Sequence, residues 1–470
     1  MKVLVVATNR EKAPQALLPL GACLVASAAE RAGHEVRLVD LCFSRDPLRE
    51  AAEAAARFGP DVIGLSVRNL DNCDYLSPHS YLPALGDLAA ALGSVSRAEI
   101  VLGGPAVSAA PFALARYLGC RWAVVGAGES TFPLFLRAFA GGADPAEIPG
   151  VADAEQEERF ASAPLSEDLT WPQTAALRRW LNLRRYWGHG AAVPLQTKRG
   201  CAFRCSYCVY PLLEGSAWRL REPELVAEEA AAAGRSGLRL VEFVDSVFGL
   251  PRDHALACCE ALARRRAGVP LCAMELNPVG VTKELVAAMN AADFSGVAVT
   301  AESGSDAMLD SLGKGFTTSD LAGAREGLRS LRARVLWIFM LGGPGETPRT
   351  VRETARFLDS LPSSHLVLVT HGLRVLPGTG LQRQLLAAGD ISPEQDLLLP
   401  TFYHSPHLTP ADSERILAES RFPALSRVNL SDGGHRLLPL VQRAAAVCRL
   451  RPPYWRHMRS LNRLRKVLGA

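Results

Sequence analysis

The chain contains two successive series of short apolar strands that alternate with helices. In the first series, hydrophobic patterning predicts strands at residues 2–7, 35–40, 62–67, 99–102 and 122–125, with helices between them. Strands that alternate with helices form parallel sheets, because each helix returns the chain to the same edge of the sheet. Residues 1–150 are therefore expected to form a doubly wound, Rossmann-like α/β domain that binds ligands at the carboxyl ends of its strands.

The second series comprises six strand–helix units within residues 191–377. Its predicted strands are residues 193–197, 238–244, 271–275, 296–300, 335–341 and 366–373. In parallel barrels the catalytic groups lie at the carboxyl ends of the strands. Residues 151–190 are predicted to be a linker with a short helix at 172–183, and residues 378–470 a mostly helical C-terminal segment.

Three cysteines follow the first strand of the second series on one short loop. Cys201, Cys205 and Cys208 have the spacing C-x3-C-x2-C. Thiolates at this spacing can hold three irons of a [4Fe–4S] cluster and leave the fourth iron open to a small molecule. A structural zinc site normally needs four protein ligands, and no second Cys/His pair has a matching spacing. A disulfide framework is not indicated, because the cysteines show no even, regular pattern.

The loop resembles the signature of the radical SAM superfamily, with Tyr207 as the aromatic residue before the third cysteine. The resemblance implies a partial (β/α)6 barrel, S-adenosylmethionine bound at the open iron, and a reducing partner of the flavodoxin or ferredoxin type. One electron would then cleave S-adenosylmethionine to a 5′-deoxyadenosyl radical, which removes hydrogen from a small-molecule substrate. The cofactors carry this chemistry, while the protein positions and shields them.

The same resemblance implies which barrel residues contact S-adenosylmethionine. The backbone of Tyr207 should lie near the adenine, and Glu302 and Ser303 should meet the ribose or the amino-acid end. The alternative for Glu302 is a helix cap, which its position at a predicted strand end disfavours. The bend that should pass under the adenosine is formed by Gly342, Gly343 and Pro344.

The first domain resembles the cobalamin-binding domain that precedes the barrel in one large group of radical SAM enzymes, through residues 19–21, 33–36, 66–71, 103–104 and 126–129. The presumed ligand face would carry Arg68, Asn69, Gly103, Gly104, Gly126 and Glu129. The D-x-H-x-x-G motif, whose histidine binds cobalt in many cobalamin proteins, is missing, and His79 lacks that context. Two interpretations stay open: the domain binds cobalamin without this histidine, or it has kept the shape alone.

Three further residues are candidates for catalysis. Asp245 and Glu275 end predicted barrel strands, and two carboxylates that face the cavity suit a polyhydroxylated or cationic substrate. A carboxylate there can also deprotonate a hydroxyl next to a carbon radical. Tyr210, which follows the last cysteine closely, can transfer a proton beside the cluster. For each of the three, a structural hydrogen bond is the alternative.

These features indicate a radical SAM enzyme. The main hypothesis is dehydration of a diol in an aminoglycoside or similar amino sugar during antibiotic biosynthesis, as in the aminoglycoside radical SAM diol dehydratases that the chain resembles. A separate reductase would then complete the deoxygenation. The alternative hypothesis is cobalamin-dependent methylation of an unactivated carbon in a natural product. A third interpretation, an electron-transfer or cluster-carrier protein, predicts no cleavage of S-adenosylmethionine.

The composition is typical of a soluble globular enzyme. The chain has 48% hydrophobic and 21% charged residues, and a net charge of +4 is too small to indicate a nucleic-acid partner. No apolar run is long enough to span a membrane and no signal peptide is present, so a cytoplasmic enzyme is expected. Basic residues accumulate after Asp432, which favours a solvated helix face or a clamp over the barrel mouth, with a nucleic-acid or membrane patch as the alternative.

Overall fold

The computed structural model describes residues 1–166, 168–428, 438–460 and 462–463. Within these residues, two mainly parallel sheets follow one another along the chain, and helices pack against both. The predicted fold class is confirmed, since a doubly wound domain precedes an open barrel and further helices follow. No helix in the described part of the chain is long and apolar enough to cross a membrane.

The N-terminal sheet consists of β1 (Lys2–Ala7), β2 (Glu35–Asp40), β3 (Val62–Ser66), β4 (Glu99–Gly103), β5 (Trp122–Val124) and β6 (Val151–Asp153). The strands lie in the order β2-β1-β3-β4-β5-β6, and β6 pairs antiparallel with β5. The helices are α1 (Leu20–Arg31), α2 (Pro47–Phe58), α3 (Leu82–Val95), α4 (Pro105–Ala109), α5 (Pro111–Leu118) and α6 (Gly128–Gly141). The strand order reverses between β1 and β3, and ligands of such sheets bind at this point.

The central strand β1 explains how this domain is held together. Leu4 and Val6 face the core on one side of the sheet, and Val3 and Val5 face the core on the other. All four side chains are buried, so β1 has no solvent-exposed face, as expected for an inner parallel strand. The loops after β1 and β3 are thereby fixed at the carboxyl edge.

The barrel region contains β7 (Val193–Leu195), β8 (Lys198–Arg199), β9 (Arg219–Leu220), β10 (Val241–Phe243), β11 (Leu271–Leu276), β12 (Phe294–Glu302), β13 (Arg334–Leu341), β14 (Leu366–His371), β15 (Leu373–Arg374), β16 (Phe402–Tyr403) and β17 (Arg427–Val428). The parallel strands have the order β17-β14-β13-β12-β11-β10-β7, while β8 pairs with β9 and β15 with β16. The helices are α7 (Gln173–Trp180), α8 (Tyr210–Glu214), α9 (Pro223–Gly234), α10 (Arg252–Arg265), α11 (Lys283–Ala291), α12 (Asp306–Ser311), α13 (Thr318–Gly327), α14 (Pro348–Ser360), α15 (Gly380–Ala388), α16 (Pro410–Ala418) and α17 (Leu438–Val447).

Residues along each barrel strand alternate between two environments, as the period of two requires. On β12, Val297 and Val299 point outward and pack with the surrounding helices. Ala298 points inward and forms a smaller apolar layer with Leu336 and Leu366. The inner face of the sheet is thus a surface of its own, separate from the main core.

The end of the chain closes the barrel at the amino ends of its strands. Residues 452–458 are named the C-terminal plug. The hydroxyl of Ser295, at the start of β12, donates to the carbonyl of Pro452 at 2.7 Å. Trp455 and Met458 pack against the inner apolar layer. The plug lies opposite the carboxyl ends of the strands, so Arg456 does not form part of a clamp over the barrel mouth, and Arg465 and Lys466 of the same basic stretch lie outside the described residues.

Buried polar contacts fix the two domains against each other. Residues 67–81, between β3 and α3, are named the docking loop. Asp71 of this loop forms a buried ion pair with Arg374 of β15, with Oδ2 and Nε 2.6 Å apart. Trp180 of the linker helix α7 donates through Nε1 to the hydroxyl of Ser27 in α1 at 2.8 Å. The relative position of the two domains therefore depends on one buried ion pair and on a partly buried hydrogen bond.

Candidate active site

The three cysteines lie together at the carboxyl end of the first barrel strand. Residues 199–211 are named the cluster loop. Cys201 is buried, and Cys205 and Cys208 are half-buried. The backbone N–H of Cys201 donates to Gly215 at 3.0 Å, and that of Cys208 donates to Cys205 at 3.1 Å. These bonds hold the loop in a tight turn that presents the three thiols on one segment.

The thiols fit a [4Fe–4S] cluster better than a single metal ion. In the described chain, no three His, Cys, Asp or Glu side chains converge closely enough to hold one ion. Three thiolates of a cubane bind different irons and do not need to converge in that way. Burial raises the pKa of the Cys208 thiol to about 12. The thiolate form therefore needs a cation beside it, which bound iron supplies.

A buried triad of Tyr207, Glu302 and Lys314 borders the cluster loop. The Tyr207 hydroxyl donates to Glu302 Oε1 at 3.0 Å, and Lys314 Nζ donates to the same oxygen at 3.2 Å. Lys314 is 5% exposed and lies 3.3 Å from the Tyr207 hydroxyl. Burial lowers the pKa of Lys314, but Glu302 and Cys205 more than offset this and leave the pKa raised. The triad thus places a buried ion pair of Lys314 and Glu302 beside the cluster loop.

Sequence reasoning missed Lys314. The residue stands between Gly313 and Gly315, directly after α12, where nothing in the local pattern distinguishes it from a turn lysine. Its role becomes visible because the turn packs on the cluster loop: a Cβ at Gly313 would lie 2.8 Å from the carbonyl of Arg204. The two flanking glycines are the feature from which the close approach could have been inferred.

The bend at residues 342–344 is rigid and uses its own backbone amides internally. Glu346 is fully buried and accepts hydrogen bonds from the N–H groups of Gly342 and Gly343. Gly342 has φ of 93°, and a Cβ there would lie 2.5 Å from the ring of His404. The Pro344 carbonyl accepts from Ser311 at 2.7 Å. The bend therefore offers a ligand a fixed surface without free N–H donors.

Ser303 is fully buried, and its hydroxyl lies 3.2 Å from the hydroxyl of Thr354. The same Ser303 oxygen accepts from the backbone N–H of Ser305 at 3.2 Å. The hydroxyl is therefore engaged within the protein. The role expected for Ser303 at S-adenosylmethionine would fall to its backbone.

Glu275 and Glu302 share an unusual backbone conformation at the ends of neighbouring strands. Glu275 has φ of 58° and Glu302 of 60°, and the strand register shifts at both positions. Glu275 is half-buried, and its carboxylate has no hydrogen-bond partner among the described residues. Burial, followed by the charge of Glu302, raises the pKa of Glu275 to about 7. The structure thus brings a free, weakly acidic carboxyl group to the rim of the barrel.

Asp245 is placed differently from Glu275. One carboxylate oxygen accepts from the backbone N–H of Thr197 at 2.7 Å, and the other from the Thr197 hydroxyl at 2.6 Å. Lys198 completes a buried ion pair with Asp245 at 3.1 Å. These contacts favour the structural alternative for Asp245, which joins β7 to β10.

Tyr210 opens α8 and keeps 44% of its surface exposed. Burial raises the pKa of the Tyr210 phenol. The charges of Glu214, Glu275 and Cys208 raise this pKa further, and the charge of Arg68 lowers it. Helix α8, which begins at Tyr210, packs against α4 of the first domain, so Tyr210 lies in the region where the two domains meet.

The other side of this region, named the cleft, is the carboxyl edge of the N-terminal sheet. Helix α4, which follows the glycines after β4, packs against α8 of the cluster region. Arg68 is exposed, and Asn69 beside it is half-buried. Gly126 has open space where a side chain would be, and its N–H donates to the Ser108 hydroxyl at 2.9 Å. A flat ligand can approach this edge closely.

Gly104 and Glu129 have structural partners at this edge, and Gly103 is the last residue of β4. A Cβ at Gly104 would lie 2.5 Å from the carbonyl of Val67, so the backbone crosses too closely for any side chain. Glu129 is buried and forms an ion pair with Arg199 of the cluster loop. This pair is a second buried link between the cluster loop and the first domain.

The residues present fit a corrinoid that binds without a histidine below cobalt. His34 and His79 are the histidines of residues 1–150. His34 precedes β2 at the amino edge, and His79 stacks edge-on against Tyr81 at 5.4 Å between ring centres. Neither is at the end of a strand that faces the cleft. The exposed guanidinium of Arg68 and the open surface at Gly126 are what this edge presents instead.

Comparison with known families agrees with this geometry. Residues 195–358 match the radical SAM superfamily, and residues 7–136 match the B12 binding domain. Tryptophan 2-C-methyltransferase of Streptomyces laurentii is 27% identical over 433 residues, which covers 78% of this chain and 72% of the relative. Hopanoid C-3 methylase of Methylococcus capsulatus is 28% identical over 258 residues, with coverage of 53% and 46%.

Solved structures share the fold. TsrM from Kitasatospora setae, a radical S-adenosylmethionine methyltransferase with cobalamin and a [4Fe–4S] cluster bound, superposes with a TM-score of 0.84 at 22% identity, and covers 100% of this chain and 99% of its own. OxsB, a cobalamin-dependent S-adenosylmethionine radical enzyme, gives 0.68 at 17% identity, with coverage of 89% and 66%. The chain is therefore a two-domain protein in which a B12-binding domain precedes a domain of the radical SAM superfamily.

Proposed function

We propose that the protein is a cobalamin-dependent methyltransferase that methylates a carbon atom of a small organic substrate. One observation carries the proposal: the loops that follow the strands of the first sheet pack against the cluster region, with α4 against α8 and Glu129 paired with Arg199. Both cofactor sites therefore open on the same space. When bound, S-adenosylmethionine supplies the methyl group, cobalamin carries it, and the cluster supplies electrons.

The residues of the barrel bind and orient on one side of the cleft. Cys201, Cys205 and Cys208 hold the cluster. The paired side chains of Lys314 and Glu302 would hold the carboxylate and ammonium groups of S-adenosylmethionine by their opposite charges. The bend at residues 342–344 supports the adenosine by contact, since its amides are already bonded to Glu346.

Glu275 is the proposed proton acceptor. Methylation of a C–H position releases a proton, and a group that receives it must be unprotonated and within reach of the substrate. The Glu275 carboxylate has no partner among the described residues, lies at the barrel rim, and has a pKa raised to about 7. Tyr210, at the start of α8, is partly exposed, and its hydroxyl can relay the proton to solvent.

Diol dehydration, the main sequence-based hypothesis, has less support than methylation. Three of the similar proteins described above are a methylase or methyltransferases by name: tryptophan 2-C-methyltransferase, hopanoid C-3 methylase and TsrM. Asp245 is tied to Lys198 and Thr197 and does not face the cavity, so it offers nothing to a sugar hydroxyl. A polyhydroxylated substrate would also meet an inner barrel surface that is mostly apolar. A downstream reductase is not required for methylation.

The test uses anaerobically reconstituted protein, expressed with added cobalamin. The visible spectrum should show a bound corrinoid. With reduced flavodoxin and S-adenosylmethionine that carries a CD3 group, the label should be recovered in the corrinoid fraction by mass spectrometry. The Cys205→Ala variant should give no label in the corrinoid fraction. Glu158 is an exposed carboxylate of the linker, so the Glu158→Gln variant should behave as wild type.

Three outcomes separate the hypotheses. Label in the corrinoid supports methylation. Release of 5′-deoxyadenosine with no corrinoid in the protein would support diol dehydration instead. A protein that holds a cluster but leaves S-adenosylmethionine intact would be an electron carrier. Either of the last two results contradicts the proposed function.

A further inference from the structure

Several side chains on the inner face of the barrel strands, above the C-terminal plug, are partly exposed. Side chains on the inner face of the strands are buried near the plug but partly exposed in the next layer toward the cleft. This partly exposed layer comprises Met274, Thr300, Ile338, Met340, Leu368 and Thr370. Residues that point into a barrel and yet remain accessible surround open space, and most of the lining here is apolar.

One ionisable side chain lies on the inner face of the strands at the level of the plug, since Glu242 is in register with Cys272 and Gly296. Glu242 occupies the inward position of β10, between Val241 and Phe243, which both belong to the outer core. It is 6% exposed and pairs in register with Cys272 of β11. Among the described residues, Glu242 forms no ion pair.

The partner of Glu242 comes from the other domain. Residues 8–19, between β1 and α1, are named the β1 loop. Gln15 of this loop reaches into the barrel, where its Nε2 lies 3.1 and 3.2 Å from the two carboxylate oxygens of Glu242. One neutral amide nitrogen therefore serves both oxygens of an enclosed carboxylate. The carboxylate has lone pairs left over and no cation to balance its charge.

An enclosed carboxylate without a cation is costly, and such groups are normally paired or bound to a ligand. We propose that Glu242 is the anchor of a substrate subsite that takes a protonated amine with an apolar body. The ammonium group binds Glu242, and the apolar body lies against Met274, Ile338 and Leu368. Gln15 keeps the carboxylate directed into the cavity, so the B12-binding domain contributes directly to the substrate site.

The burial of Glu242 raises the pKa of its carboxyl group, and the Gln15 hydrogen bond lowers it only in part. An ammonium ligand would favour the ionised form and bring the pKa down. This subsite deepens the proposed function, because it names the substrate class of the same cavity, and the placement of Glu242 below the rim keeps it apart from the proposed proton acceptor Glu275.

The test measures binding and not turnover, so it can fail or succeed independently of methyl transfer. Holoenzyme is titrated by calorimetry with three matched pairs: tryptamine and tryptophol, phenethylamine and 2-phenylethanol, hexylamine and 1-hexanol. In at least one pair the amine should bind ten times more tightly than the alcohol. Glu242→Gln should remove this preference and leave the affinity for the alcohol unchanged.

Matched variants locate the effect. Glu158→Gln makes the same charge change on the surface and should keep the preference, as should Glu275→Gln at the rim. If Glu242→Gln does not fold, Glu242→Asp, which withdraws the carboxylate by one methylene, should weaken the preference. The proposal is overturned if no pair favours the amine, including the case in which no probe binds, or if Glu242→Gln retains the preference.

Discussion

Glu275 and Glu302 adopt left-handed backbone conformations that a glutamate rarely takes. Such conformations cost of order 1–3 kcal/mol each and persist where the surroundings fix them. Both residues sit at shifts of strand register, where a bulge turns a side chain away from the regular alternation. The strained backbone directs the two carboxylates toward the cluster end of the barrel, which is consistent with the roles proposed for them.

Glu346 supplies a prediction about stability and pH. Burial raises its pKa to about 7, although the N–H groups of Gly342 and Gly343 lower it. Because the folded-state pKa exceeds the unfolded value of about 4.5, the folded protein holds an extra proton between these values. The free energy of unfolding of the protein therefore falls as the pH rises from about 4.5 to about 7.

Glu346→Gln removes this dependence. Between pH 5 and pH 8, the free energy of unfolding of the variant should improve relative to wild type by an amount on the order of 3 kcal/mol. Denaturant unfolding at several pH values checks the prediction, with Glu158→Gln as the surface control. Parallel curves for wild type and Glu346→Gln would contradict it.

At the scale of single residues, sequence reasoning predicted the features that a local sequence pattern encodes. The spacing of Cys201, Cys205 and Cys208 is by itself sufficient to identify the cluster loop. Lys314 and Glu242 were missed, because their importance comes from partners far along the chain: Tyr207 for Lys314 and Gln15 for Glu242. A lone lysine or glutamate carries no periodic pattern that reveals such a partner.

Among the elements, the turn between β4 and α4 is defined by contact with β3. Gly104 has φ of 105°, and its missing Cβ would lie 2.5 Å from the carbonyl of Val67. Gly126, at the same edge, has φ of 82° but open space around the same position. Substitution of Gly126 therefore tests backbone strain alone, whereas substitution of Gly104 tests backbone strain together with a steric clash.

Gly126→Ala should cost about 1–2 kcal/mol, the penalty for an L-residue in the left-handed region. Gly104→Ala should cost clearly more, because the backbone of Val67 must also move. Thermal unfolding of the full-length variants measures both. Equal losses in the two variants would show that the close approach at Gly104 is relaxed without cost.

The ion pair between the docking loop and β15 provides a second test at this scale. Asp71 and Arg374 are both buried, and Arg374 also donates to the carbonyl of Leu397 at 2.8 Å. Asp71→Leu or Arg374→Met alone should cost about 3–5 kcal/mol, since each leaves a charge enclosed without its partner. The double variant should cost less than the sum of the two.

A double-mutant cycle on unfolding free energies measures the coupling. A purely additive result would mean that the two charges do not depend on each other. Strand and helix positions around this pair followed from hydrophobic pattern. The docking loop itself could not be predicted in the same way, because its course is set by the barrel surface on which Tyr75 stacks against His404.

For the whole molecule, the succession of a doubly wound domain and a parallel barrel followed from the alternation of strands and helices. The way the domains face each other did not, because it rests on single contacts such as Glu129 with Arg199. The plug was also beyond reach, since Trp455 and Met458 lie in a short segment without helical or strand periodicity.

The buried interdomain contacts predict that the two domains unfold together. Calorimetry of the full-length protein should give one main transition, because separation would expose Asp71, Arg374 and Glu129 without partners. In the Asp71→Leu variant, the transition should broaden or split as the domains become independent. Two well-separated transitions in wild type would contradict this view of the interface.

Among the described residues, the C-terminal plug covers the amino ends of the barrel strands, while their carboxyl ends point toward the first domain. A molecule bound next to the plug must enter before other ligands cover the carboxyl ends of the strands, and it can leave only after those ligands dissociate. The structure of the barrel would then determine the order of ligand binding. Kinetic studies of turnover should find an ordered mechanism in which the ligand bound deepest in the barrel binds first and dissociates last.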